Sequence, residues 1–500
     1  MLGGQTLRHA LTEGSMSLQG AALSPSDLVA VIEFLAAPEV PQDAWISGMM
    51  CPVERRGIDL GEAVAMPRPG VELTSTRSLS AEAAGLTKAE METLEFAWAI
   101  VFPGVSGLRA APAIVGSTVF YSAGATGKLL ALDAESGCVK WVYDSPAPLR
   151  SSVSFEPEGV DGRPTLYFGD ARGQVHAVDA GSGRPLWIRD ARADSGVGMI
   201  TGSVVVHGGK VIVPISASGV GAAVNPEHEC CSGRGAVTVL DAITGERLWT
   251  YVTMEEAVYT GEVNSAGARL RGPSGAAIWS TPTVDVERGR IYVTTGQNTS
   301  LPATGTSDAI IALDLETGSE LWVFQATEND VWNMACSGER GPNCPDPEHS
   351  ILQDWDFGGA AILVKVDGGD DVLLAGQKSG QLWALDPDSG SLLWEERVGQ
   401  GGALGGNHWG IAADGDRVFL PISDPFPPAQ EPGMYAFDSE TGRSLWSHRL
   451  QPDCSGDTQA FAPRCETRFG LSATPLVVDG AVISAGVDGR VHIFDGDDGR

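Results

Sequence analysis

Short apolar runs recur along most of the chain, each ending on an aspartate and a Gly-containing turn, and followed by a second short run that carries a tryptophan. Ile310–Gln325, IIALDLETGSELWVFQ, shows the pattern: an apolar run to Asp314, a turn at Thr317-Gly318, then a run bearing Trp322 and Phe324. That order predicts a β-hairpin with the tryptophan on the buried side of the second strand. The same phrase starts at Leu129, Val175, Val237, Leu382 and Met434, and a seventh copy, VHIFDGDDGR, starts at Val491. The phrase aspartates are Asp133, Asp179, Asp241, Asp314, Asp386, Asp438 and Asp495; Asp133 to Asp179 spans 46 residues and Asp241 to Asp314 spans 73. The repeat is therefore elastic, with insertions in loops. Ahead of each phrase stands another pair of short apolar runs, such as Ser280–Gly296 and Ser472–Gly486. Four short strands per unit make a propeller blade, and the alternation has no period of 3.6 that would suit a helical solenoid.

Residues 93–500 are thus expected to form an all-β, eight-bladed β-propeller. Phe96–Gly104 carries Trp98 ahead of the first full repeat and is read as the outer strand of a blade completed from the C-terminal end. The last blade is expected to be incomplete, because the seventh repeat does not reach its tryptophan before Arg500. Residues 1–37 predict a small α-helical segment: Ser24 caps it, Pro25 opens it, Asp27 lies in the first turn, and Leu28, Val31, Ile32 and Leu35 share one face. Residues 38–92, punctuated by Pro38, Pro41, Pro52, Pro67 and Pro69, read as a linker, with one or two helical turns at Leu86–Leu94. Cys51 finds no evident partner there.

Composition narrows the class. The formal charge of −31 excludes nucleic acid as a plausible partner and suits a cationic one. No stretch has the length of a membrane span, and no signal peptide is visible. The eight cysteines include one adjacent pair and two short-range pairs, which points to an oxidising compartment.

Four stretches could carry chemistry. Cys230-Cys231 can close an eight-membered disulfide ring, a flat hard surface suited to covering a planar cofactor, and Arg234 nearby offers a fork for carboxylates. Trp279 opens an inner strand and could floor a flat ring; taken alone, core packing is the better reading. Gln325–Phe357 is a long acidic loop in which Cys336 and Cys344 form a clip and Asp330, Asp354 and Asp356 are candidate bases. Lys378 in GQKSG, and Asn407 and Trp409 in GGNHWG, sit where blades meet the channel; a solvated lysine is the plain alternative for Lys378.

Together these motifs resemble the pyrroloquinoline quinone (PQQ)-dependent alcohol dehydrogenases, and within them the polyvinyl alcohol dehydrogenase branch. The resemblance rests on CCxxRG at Cys230, WSTPTVD at Trp279, TTGQN at Thr295, QATENDVWNMAC at Gln325, DWDFGG at Asp354, GQKSG and GGNHWG. Leu11–Ala36, with Met16, resembles the end of a class I cytochrome c, a domain that precedes the propeller in that branch. It implies that residues 1–37 are a cytochrome remnant, and that residues are missing ahead of Met1. The chain has no C-x-x-C-H, so haem c is expected only in a complete chain. The resemblance also implies that Trp279 stacks under PQQ and that Thr201 hydrogen-bonds it. Cys230 and Cys231 then form the vicinal disulfide, although methanol-type members carry that pair near the place of Leu149-Arg150-Ser151. Lys378 lies by the quinone oxygens, Asn407 at the ring edge, and Asp356 is the general base with Asp330 in reserve. Calcium is implied too, with Glu229 (or Glu227), Gln297 and Asn298 as its ligands. The implied reaction takes an alcohol to a ketone or aldehyde. Asp356 accepts the hydroxyl proton, calcium and Lys378 polarise the quinone, and electrons pass to a cytochrome c in the periplasm. The rival readings are a non-catalytic propeller scaffold of outer-membrane protein assembly and a sugar-oxidising quinoprotein.

Overall fold

A computed structural model of the chain describes residues 7–8, 11–12, 20, 23–60, 64–102, 105, 107–193, 197–337, 340–345, 354–366, 368–425, 431–456, 458–462 and 464–500, with 36–43 excepted. Seven antiparallel sheets follow one another along it: 113–144, 154–190, 205–252, 283–325, 362–397, 412–449 and 476–495, here blades 1 to 7. Blades 1 to 6 contribute four strands each and blade 7 three. First strands of blades 2 and 3, and of blades 4 to 7 in succession, lie side by side, so the sheets radiate from a central channel. The mainly-β propeller expectation holds, and the described residues show seven of the eight expected blade sheets.

The repeated phrase forms the hairpin of the third and fourth strands. Asp314 Oδ1 accepts from the backbone N–H of Glu316 and Thr317 and from the Thr317 hydroxyl at 2.8–3.0 Å. Those bonds hold its carboxyl below the usual carboxylate range, the Thr317 hydroxyl first among them. Gly318 follows at φ +71°, where a side chain is strained. A Cβ there would also strike the ring of Trp249 from blade 3 at 2.4 Å. The same docking repeats between consecutive blades: Trp141 on Gly183, Trp187 on Gly245, Trp322 on Gly390, Trp394 on Gly442 and Trp446 on Gly499. The phrase tryptophan thus seals one blade against the next, beyond packing within its own hairpin. Trp98 makes the same contact with Gly137 and donates to Ala134 O at 2.9 Å, although residues 96–102 form no strand.

The stretch expected as a linker is built into the propeller. Val64–Met66 adds antiparallel to the first strand of blade 1 and Ser78–Leu79 adds parallel to that of blade 7. Between them, the carbonyls of Pro67, Leu73, Thr74, Thr76 and Arg77 accept from Phe155, Val284, Leu363, Ala413 and Val477. Residues 64–79 therefore cross the channel and bond the first strands of blades 1, 2, 4, 5, 6 and 7. Cys51 is disulfide-bonded to Cys138, which ties the preceding segment to blade 1. Lys88–Thr93 is a short 3-10 helix, and Lys88 Nζ reaches Asp495 at 2.6 Å and Asp497 at 2.9 Å on blade 7.

Near the N-terminus, Pro25–Leu35 is helical with Ser24 accepting from Asp27 N at 3.2 Å, and Ile32 is buried with Leu7 and Leu11. Met16 lies outside the described residues.

Candidate active site

The channel mouth is built from one repeated position. Four residues ahead of each first strand stand Arg109, Arg150, Thr201, Trp279, Gly358, His408 and Ser472, from blades 1 to 7 in turn. All seven line one of two adjoining cavities. The strand edge fixes the direction of each, since backbone bonding to the neighbouring strand leaves the preceding residues on the axis. Gly358 has no room for a side chain, because a Cβ would lie 1.9 Å from His408 O and 2.9 Å from the Trp279 ring.

The upper cavity, of about 320 Å³, is lined by Trp279, Thr201, Gln297, Asp354, Asp356 and Lys378, with Arg109, Arg150, Trp332 and His408 around them. Lys378 Nζ donates to Asp354 Oδ1 and to Asp356 Oδ2, both at 3.0 Å, and lies 5.1 Å from the centre of the Trp279 ring. The other oxygen of Asp356 accepts from Gln297 N at 2.7 Å. Gly296 makes room for it: a Cβ there would stand 2.4 Å from Asp356 Oδ1. Trp279 meets Trp409 edge to face at 5.5 Å.

One ammonium faces several buried carboxylates. Burial opposes the charge on Lys378, but Asp354 and Asp356 outweigh it and raise its pKa. Its single positive charge is shared between the two acids. Burial pushes Asp354 up to about 7, with Asp356 and Asp330 adding to it and Lys378 pulling against it. Asp308, wholly buried, is raised well above the usual range by burial and by Asp330, Asp356 and Asp354. Burial, then Lys378 and Arg109, holds His408 down at about 3, so the imidazole is neutral.

These shifts fix a sign for stability. The folded chain holds a proton on Asp354 between the ordinary value of 3.8 and about 7, where the unfolded chain does not. That contribution is full below the ordinary value and is lost as pH rises through about 7. Asp308 acts in the same direction. Asp354→Asn is expected to flatten part of the fall of urea-unfolding stability between about pH 5 and 7; a slope equal to that of the parent chain would refute the assignment.

Several expected residues lie elsewhere. Cys230 and Cys231 are disulfide-bonded, as expected, but line neither cavity. They are buried with Ala223, Ala335 and Cys344, bracing the loop at Gly219 against the Cys336–Cys344 clip. Arg234 donates to Met254 O at 2.7 Å and also lines neither cavity. Asn407 is a structural residue, its amide donating to Gly410 O and Pro421 O. Asp330, 2% exposed, accepts from Trp355 N at 2.9 Å and lies behind the cavity wall rather than on it. Trp409 lines the lower cavity.

The expected calcium set is not assembled. Glu229 pairs with Arg269 and Arg271 away from the cavities, and Glu227 is exposed. The Asn298 amide is bonded to Ser274 O and Thr304. Gln297 alone of the set lines the cavity. Among the described residues no group of three or more Asp, Glu, His or Cys is placed to hold a metal ion. Calcium takes about six to eight oxygens, and the two cavity carboxylates already share Lys378. These residues do not fit calcium, and no step below runs through it.

A planar polyanion does fit. The upper cavity offers an indole floor and two guanidiniums that have no carboxylate partner among the described residues. Thr201 Oγ1, Trp279 Nε1 and Trp332 Nε1 are buried there without a hydrogen-bond partner. Buried polar atoms are ordinarily paired, so three orphans on one cavity mark a missing polar ligand. Sequence reading missed Arg109 and Arg150; their signal was the shared register with Thr201 and Trp279.

Known proteins share the propeller sequence and fold. Residues 80–338 match the family model of the glucose/ethanol/alcohol dehydrogenase β-propeller domain, and residues 378–500 match that of the outer membrane protein assembly factor BamB. The chain is 32% identical to a polyvinylalcohol dehydrogenase of Pseudomonas sp, over 98% of this chain and 77% of that protein. It is 34% identical to a polyvinylalcohol dehydrogenase of Sphingopyxis sp., over 82% of this chain and 62% of that protein. In fold it is similar to the quinohemoprotein alcohol dehydrogenase of Comamonas testosteroni (TM-score 0.62, 18% identity, 91% of this chain and 76% of the other).

Proposed function

Because the chain belongs to the PQQ-dependent alcohol dehydrogenases, we propose that its upper cavity oxidises secondary or polymeric alcohols to ketones or aldehydes. The observation that carries the reading is the convergence of Trp279, Lys378 and Asp356 on one cavity. Bound there, PQQ supplies the two-electron acceptor. Trp279 gives the flat floor, Arg109 and Arg150 take carboxylates, and Thr201 Oγ1 and Trp332 Nε1 supply hydrogen bonds. Asp356 takes the proton of the alcohol hydroxyl. Lys378 and Gln297 N–H hold that carboxylate by both oxygens, so it faces the substrate in one orientation. Neutral His408 and Trp332 close the cavity against water without adding charge.

The finer parts of the reading rest on separate support. The docking of Trp98 supports an eighth blade, of which residues around it form the outer part. Four disulfides support an oxidising compartment, the periplasm. The acidic chain supports a cationic electron acceptor, a cytochrome c.

PQQ added to the chain is expected to quench tryptophan fluorescence saturably and to allow dye reduction with a secondary alcohol. Trp279→Ala, which removes the floor, is expected to weaken PQQ binding by at least about tenfold. An unchanged binding curve in that variant would place the cofactor elsewhere, and absence of quenching in the parent chain would refute the reading.

A further inference from the structure

The lower cavity has no part in the reaction so far. It encloses about 780 Å³, more than twice the upper one, and the two meet at Trp279, which lines both. Its lining includes Arg77, Arg109 and Arg150 and no Asp or Glu. That is unexpected in a chain with 64 acidic and 33 basic residues. Arg77 comes from the segment that crosses the channel, in a left-handed conformation at φ +58°. One of its N–H groups donates to Pro69 O at 2.8 Å. Arg109 and Arg150 lie against the Trp409 ring at 4.9 and 5.9 Å. None of the three has a carboxylate partner among the described residues.

Burial lowers Arg77 to about 10, and burial with Arg109 lowers Arg150 to about 10. Both stay charged at neutral pH. Three guanidiniums around one cavity, with no carboxylate partner among the described residues, raise the local potential and favour an anion there. The forks of arginine match oxyanions geometrically.

We propose that the compartment beneath Trp279 is a second binding site of the channel, which takes a small oxyanion of the phosphate class. Arg77 belongs to this site alone, as Lys378 and Asp356 belong to the upper cavity alone. Arg109 and Arg150 line both. An anion below and a polycarboxylate above therefore draw on the same two charges, and each weakens the other by the same factor.

Inorganic phosphate, titrated at constant ionic strength and followed by equilibrium dialysis, tests this. The chain without PQQ is expected to bind one phosphate saturably. With PQQ loaded, phosphate still binds, several-fold more weakly. Arg77→Gln is expected to weaken phosphate by about tenfold in both forms, while Arg77→Lys, which keeps the charge, retains most of the binding and controls for folding. No saturable binding in the PQQ-free chain overturns the proposal. So does full displacement of phosphate by stoichiometric PQQ, which would make the lower compartment an extension of the cofactor's own site. Equal phosphate binding by folded Arg77→Gln also overturns it. Failure of PQQ to bind at all would refute the dehydrogenase reading and leave the phosphate test in the PQQ-free chain readable.

Discussion

Asp356→Asn is expected to lower kcat by about 10²- to 10⁴-fold while leaving PQQ affinity within a few-fold of the parent chain. The substitution keeps the shape and keeps an oxygen for Gln297 N–H, which donates to Asp356 Oδ1 at 2.7 Å. It removes the charge that would accept the hydroxyl proton, and with it the ion pair to Lys378 at 3.0 Å. The loss should fall on kcat and kcat/KM together, the pattern of an interaction made in the transition state. Asp354 also lines the cavity and shares Lys378, so the comparison with Asp354→Asn decides between them. Asp356 is oriented by donors on both oxygens, Gln297 N and Lys378 Nζ, whereas burial raises Asp354 to about 7. If Asp354→Asn loses more turnover than Asp356→Asn, the base has been misassigned. Full turnover in Asp356→Asn would remove this carboxylate from the mechanism.

The blade repeat was legible because its turn is chemically demanding. An aspartate that accepts from two backbone N–H groups, a Ser or Thr, and a left-handed glycine under a neighbouring indole must recur together, and they do at Asp314, Thr317 and Gly318. The tryptophan's true partner was not legible, because docking on Gly390 requires knowing which blade comes next. The site was half legible. Trp279, Thr201, Lys378 and Asp356 carry motifs of their own. Arg109 and Arg150 do not, and they emerge only when the stretches before the first strands are aligned by register rather than by residue type. The bond between Cys230 and Cys231 is legible from their adjacency, whereas its place is not, since adjacency does not say that the pair lies behind the Gly219 loop and lines neither cavity. The crossing segment 64–79 does not show in the sequence because its strands are short and pair with blades far away along the chain. Its prolines suggested a spacer, while its carbonyls do the bonding, and proline keeps that acceptor.

Lys378→Met is expected to abolish measurable turnover and to destabilise the fold by about 3–5 kcal/mol at pH 8 in urea unfolding. The lysine is 5% exposed and donates to two carboxylates, each at 3.0 Å. Without it, Asp354 and Asp356 lose the ammonium they share, while their mutual repulsion and that of Asp330 and Asp308 remain. Like charges so placed cannot all stay ionised, so protons are taken up and the folded-state pKa values rise further. For an acid with a raised folded pKa, stability is present at low pH and is lost as pH climbs. The variant's deficit should therefore be small near pH 5 and grow toward pH 8. Adding Asp354→Asn should recover part of it, since that removes one of the two charges left unpaired and the sites share a partner. A deficit of the same size at pH 5 and pH 8 would mean that Lys378 acts through packing of its stem against Trp279 rather than through charge.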